Sequence, residues 1–75
     1  MTPLAQLHSD WREAERRWGN TPRDHLMRSV RHAIADRALD ALRDEALRLG
    51  WDRSQGAVLS WVAQRINETE QESAA

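Results

Sequence analysis

The sequence has no cysteine, no lysine, no phenylalanine and no tyrosine, and only three glycines and two prolines in 75 residues. Without cysteine, neither a disulfide nor a thiolate metal site can brace the chain. Three scattered glycines cannot build a phosphate-cradling loop. No apolar run approaches the ~18 residues of a membrane span, and no signal-peptide core is visible. A cytoplasmic protein without membrane contact is therefore expected. A chain this short makes one domain and hides only about 60% of its extended surface on folding. Its stability has to come from helix packing or from a partner subunit.

What is present narrows the class further. Charged residues make up 31% and apolar ones 40%, the texture of a folded soluble domain. The eleven basic residues are all arginine and stand against twelve acids, for a net charge of −1. That balance excludes a strongly cationic nucleic-acid coat. Glu68, Glu70 and Glu72 give residues 68–75 a charge of −3, which leaves +2 on residues 1–67. Arginine is also the better residue for two-pronged contacts with carboxylate or phosphate. The aromatic residues are four tryptophans, Trp11, Trp18, Trp51 and Trp61. They suit the core of a small domain, with one or more at a subunit or partner interface as the competing reading.

The spacing of apolar residues predicts an all-α fold of three main helices. Thr2 caps, Pro3 takes the first helical position, and Leu4, Leu7, Trp11, Ala14 and Trp18 form a narrow seam. Helix 1 is expected over roughly 3–18, stopped by Gly19-Asn20. Thr21-Pro22-Arg23-Asp24 has the look of a second start, and no glycine or proline follows until Gly50. Leu26, Met27, Val30 and Ile34 centre on one face of this central helix. Ala38, Leu39, Leu42, Ala46 and Leu49 centre about 110° further round. Either the helix breaks near Ala35-Asp36-Arg37, giving four helices, or its two halves bury against different partners. The continuous helix is the preferred of the two. Gly50 fits the left-handed position after a helix, with Trp51 as the apolar residue behind it. Asp52-x-x-Gln55 has capping-box spacing ahead of helix 3. Helix 3 should bury Val58, Trp61, Val62, the stem of Arg65 and Ile66, and fray after Asn67. The domain is expected over 1–68 and a disordered acidic tail over 69–75.

Residues 42–62, with Leu49-Gly50 followed by Ser54-Gln55-Gly56-Ala57-Val58-Leu59-Ser60-Trp61, resemble the helix-turn-helix of phage-repressor and Cro-type regulators. Aligned without a gap, Gly56 takes the buried apolar position of the second helix. Aligned on Ser54 to Val58, the turn is longer by Asp52 and Arg53. The resemblance implies a dimeric DNA-binding regulator with Arg53, Ser54, Gln55, Ser60 and Gln64 facing DNA. The competing reading is an ordinary helix–Gly–helix hairpin, in which Gly56, Ala57 and Ser60 form a small-residue face on helix 3.

A second constellation lies at the start of helix 2. Arg23, His25, Arg28, Arg31 and His32 stand against one acid, Asp24. Cations there oppose the helix macrodipole by a few tenths of a kcal/mol each, on the order of a weak ion pair. Something should offset them: acids of helix 1 (Asp10, Glu13), the acidic tail, or an external anion such as phosphate or an acidic protein surface. Arg23, Arg28, Arg31 and His32 are the candidate partner-binding residues. Catalysis has little to work with. His8, His25 and His32 are the titrating bases, and Ser9, Ser29 and Ser60 sit in no nucleophile motif. His32 and Asp36 have metal-ligand spacing, but two ligands do not make a site. No catalytic residue, metal or cofactor is expected.

The central helix cannot bury both apolar half-faces against two shorter helices. A homodimer, or a surface kept for a target, is expected. The leading reading is a small non-enzymatic protein-interaction module of the adaptor, antitoxin-like or phage/plasmid-inhibitor kind. It docks on an acidic protein through its arginine-rich helix face and a tryptophan anchor. The alternative is the DNA-binding regulator.

Overall fold

Thr2 opens α1 as the sequence predicts: its backbone is extended and its hydroxyl accepts the Ala5 N–H at 3.1 Å, with Pro3 at the first helical position. The computed structural model describes the backbone of residues 2–74 and the side chains of residues 2–70. Its α-helices are α1 (Pro3–Gly19), α2 (Arg28–Arg48) and α3 (Val58–Ala74), with a single 3-10 turn, Arg53–Gln55, before α3. Every element among the described residues is helical, so the all-α expectation holds. α1 and α2 run antiparallel as a hairpin and pack far more extensively with each other than either does with α3.

Helix α1 does not end on a left-handed glycine. Positive φ among the glycines is confined to Gly50 and Gly56, and Gly19 is still helical. The last carbonyls of α1 are instead met by the chain that follows. Asn20 N–H donates to Arg16 O at 3.1 Å, Thr21 N–H to Trp18 O at 3.1 Å, and the Thr21 hydroxyl to Arg17 O at 2.6 Å. Thr21 therefore does not cap a second helix. It is buried, at 4% exposure, beneath the turn it was expected to start.

The central helix begins at Arg28, six residues later than the Pro22 start that the Thr-Pro-x-Asp pattern predicts. Residues 22–27 form consecutive turns, with His25 N–H on Pro22 O and Arg28 N–H on His25 O, both at 3.1 Å. His25 Nδ1 accepts the Met27 N–H at 3.0 Å and so diverts an amide that a longer helix would need. Nor does α2 break near Asp36. Ala35 is buried, and the Asp36 carboxylate lies 3.5 Å from His32 Nδ1 on the preceding turn, where it caps nothing.

The two apolar half-faces of α2 meet different fates. Leu42 and Ala46 are fully buried and join Leu4 and Val62 in the core, with Leu7, Trp11, Leu49, Trp51, Trp61 and Ile66 packed around them. Leu26, Met27, Val30 and Ile34 are exposed. The core thus sits where the C-terminal half of α2 crosses the start of α1 and the front of α3. The far end of the hairpin, at Trp18 and the 20–27 turn, has no comparable interior.

Gly50 and Trp51 close α2 as expected. Gly50 has φ +111, its N–H reaches Leu47 O at 3.2 Å, and the Trp51 N–H reaches Ala46 O at 2.9 Å. Asp52-x-x-Gln55 does form a capping box, although it caps the 3-10 turn and not α3 itself. On α3, Arg65 is exposed, and its guanidinium lies over the Trp61 ring, 5.3 Å from the centroid. α3 passes the expected fraying point at Asn67 and continues to Ala74, and Ala75 lies outside the described residues. Thr69 supports that extension by donating its hydroxyl to Arg65 O at 2.9 Å.

Two substitutions test this account. Leu42→Ala removes a fully buried side chain and is expected to lower stability by about 3 kcal/mol, read as a shift of the urea midpoint. Gly50→Ala meets no atom within 4 Å, so its cost is that of the left-handed backbone alone, about 1 kcal/mol in the same assay.

Candidate functional site

The arginines expected to meet a partner are partly occupied within the chain. Arg28 Nη1 donates to the Thr21 carbonyl at 2.7 Å, and Arg31 Nη1 donates to the Thr21 hydroxyl at 3.0 Å. With the Thr21 hydroxyl on Arg17 O, one buried threonine gathers the end of α1 and the first turn of α2. This answers the question of what offsets the cations at the α2 start. Neither Asp10 nor Glu13 forms an ion pair with them: Glu13 is taken by Arg16 and Arg17, and Asp10 accepts from the Gln6 amide. Arg28 and Arg31 are met instead by the two oxygens of Thr21, just past the C-terminal end of α1. The α2 N-terminus has no side-chain cap and no acid in its first turn.

Trp18 is the second element of the site. The Arg28 guanidinium lies over its ring at 4.2 Å, and the His32 ring meets it edge-on, 4.5 Å between centroids and 65° between planes. Trp11, Trp51 and Trp61 pack on the core; Trp18 does not belong to that cluster. All four are half-buried.

The four partner-binding candidates divide between two flanks of α2. Arg23, Arg28 and His32 line an open depression of about 420 Å³ together with Trp18, His25 and Ser29. Arg31 lies on the other flank, over a groove of about 450 Å³ between α1 and α2 with Ala14, Met27 and Ile34 among its walls. Among the described residues, Arg23 takes part in none of the ion pairs, which are Glu13 with Arg16 and Arg17, His32–Asp36, Asp40–Arg43 and Glu45–Arg48.

The residues that the helix-turn-helix resemblance assigns to DNA are spread over two elements. Arg53, Ser54 and Gln55 form the 3-10 turn, and Ser60 and Gln64 lie on the exposed side of α3. Residues 49–57 separate α2 from α3, against the three or four residues, roughly, of a helix-turn-helix turn. Ser54 gives both its N–H (2.8 Å) and its hydroxyl to the Asp52 carboxylate, and Gln55 Oε1 accepts the Asp52 N–H at 3.1 Å. Gln64 donates to Glu68 at 3.3 Å. Gly56, with φ +90, precedes α3, so the small-residue face with Ala57 and Ser60 does not form on one helix.

The hydrogen bonds from the Ser54 hydroxyl and backbone hold the Asp52 carboxyl below its ordinary value. His8, beside Trp11 at 5.9 Å, is pushed below its ordinary value by desolvation and then by Arg12. His32 and Asp36 do come together, but among the described residues no group of three or more ligand-type side chains is placed to hold a metal. No helix among the described residues is long and apolar enough to cross a membrane.

Compared with protein-family models, with curated proteins and with solved structures, the chain matches none at a significant level.

The sequence named the cations but missed what organises them. Thr21 reads as a helix cap, but its hydroxyl turns back on the Arg17 carbonyl four residues earlier. Trp18 reads as the last step of the α1 seam. The available signal was its place beside Gly19-Asn20, beyond the reach of a core centred on Leu4 and Leu42.

Two outcomes are expected. Thr21→Val keeps the shape but removes the hydroxyl shared by Arg17 O and Arg31, and should cost about 1–2 kcal/mol by urea unfolding. The Ser54 amide resonance should titrate with a midpoint below the 3.8 of an ordinary aspartate. Because the folded state holds Asp52 ionised more firmly than the unfolded chain does, this contribution is full at neutral pH. It is lost as pH falls through and below the ordinary aspartate range.

Proposed function

We propose that the chain is a small non-enzymatic protein-interaction module, of the adaptor, antitoxin-like or inhibitor kind, that acts as a homodimer. It docks on an acidic protein surface through the depression around Trp18. The observation that carries this reading is the pairing of an exposed Arg23, in no ion pair among the described residues, with a tryptophan already braced by Arg28 and His32. Trp and Arg are the residue types most often found at the energetic centre of protein interfaces. Arg28 is held by Thr21 O and by the ring, so little side-chain freedom is lost when a carboxylate arrives. Arg23 supplies long-range attraction and the rim contact, which governs the speed of encounter more than final affinity. The DNA-binding alternative draws less support. Ser54 and Gln55 are engaged with Asp52, and Arg53 is the one cation among its five proposed contacts.

The tightest test avoids Arg28 and Arg31, because reversing either charge would strip Thr21 of a partner. Arg23→Glu with Ser29→Glu reverses the charge of the depression, and an acid at 29 favours the α2 N-terminus. Capture of a partner from native extract on the immobilised protein is expected to survive nuclease. It should fall about tenfold or more in the double variant, with circular dichroism unchanged. Undiminished capture by the variant, or capture abolished by nuclease, would overturn the reading.

A further inference from the structure

Leu26 is 94% exposed, an apolar side chain held in water at the turn into α2, and Met27, Val30 and Ile34 continue the exposed strip along the helix. Beside it lies the groove of about 450 Å³ whose apolar floor is Ala14, Met27 and Ile34 and whose rim carries Arg17 and Arg31 with Asp10 and Glu13. We propose that this strip is a two-fold interface, in which Leu26 of each copy enters the α1–α2 groove of a second copy. The inference rests on the assembly part of the reading above and not on the acidic partner.

Three observations favour a second copy as the occupant. The first is an incomplete interior. Among the described residues, five apolar ones are buried, Leu4, Ala35, Leu42, Ala46 and Val62. The radius of gyration is 14.1 Å and the extents are 46 × 28 × 16 Å. A compact chain of this length would have a radius near ~11 Å. With no cysteine in the chain, a domain this small gains the missing burial most directly by self-association. The second is geometric. The projecting Leu26 and the recess floored by Met27 and Ile34 adjoin on one surface, so one two-fold axis satisfies both halves of the joint at once. The third is charge. Asp24, the one acid between Glu15 and Asp36, sits two residues from Leu26; of the groove's charged residues Asp10, Glu13, Arg17 and Arg31, Glu13 already pairs with Arg17, which leaves Arg31 as the cation that Asp24 would reach. Symmetry forms that contact twice.

The groove and the Trp18 depression share no lining residue. A dimer built this way leaves both docking depressions open, and the assembly is bivalent.

Sedimentation equilibrium tests the proposal. Wild type is expected at twice the 8.7 kDa of the chain. Leu26→Asp alters a side chain that its own fold scarcely touches, so it should keep its circular dichroism and sediment as a monomer, with dissociation at least about a hundredfold easier. Asp24→Arg, which puts a cation where the acid opposite Arg31 would lie, should weaken the dimer. The Arg23→Glu/Ser29→Glu variant should keep the dimer mass, so loss of the acidic partner and loss of the dimer are read separately. A wild-type monomer at millimolar concentration, with the strip left for another protein, would overturn the proposal. So would a Leu26→Asp chain that remains dimeric.

Discussion

One buried threonine holds the turn end of the α1–α2 hairpin together. Thr21 turns its hydroxyl onto the α1 carbonyl at Arg17 and receives the guanidinium groups of Arg28 and Arg31 on its own oxygens. Exposed ion pairs such as Asp40–Arg43 contribute little, because water and salt screen them. The Thr21 contacts are half-buried and charge-assisted, which makes them worth more per bond. They fix where α2 begins and how Arg28 lies on Trp18. Through the same constraint the neighbouring segment 22–27 is kept out of the helix and Leu26 is left facing water.

The two ends of the hairpin therefore differ in kind. At one, aliphatic residues and three tryptophans pack around Leu42, Ala46 and Val62, and burial does the work. At the other, a polar threonine, two arginines, a histidine and a tryptophan form a connected network with few fully buried atoms. No buried side-chain nitrogen or oxygen among the described residues lacks a hydrogen-bond partner. Such a network tolerates solvent and keeps cationic groups near the surface, which is what recognition of an acidic surface asks for.

Legibility followed the range of the interactions. The Thr2 cap, the α1 seam, the Gly50-Trp51 ending and the Asp52-Gln55 box are all set by residues within five positions of each other, and each could be read from spacing. The turning apolar pattern of α2 was legible as well. It foretold two faces with different surroundings, and the structure buries one and exposes the other. What failed was the competition between equal local signals. Thr21-Pro22-Arg23-Asp24 carries every mark of a helix start, yet the hydroxyl is claimed by Arg17 O, a partner that a capping pattern does not count. The cation cluster was visible in the sequence, but its division into two flanks was not, since that depends on how α1 lies against α2.

Residues 49–57 carry one more consequence. The backbone bond of Trp51 to Ala46 O, the Asp52 box and the indole Nε1 of Trp51 on Gly56 O at 3.1 Å brace this connector from inside, while Leu49 and Trp51 tie it to the core. The heading of the last helix is inherited from nine residues of its own approach road, and the shallow packing of α3 on the hairpin is enough because direction has already been supplied.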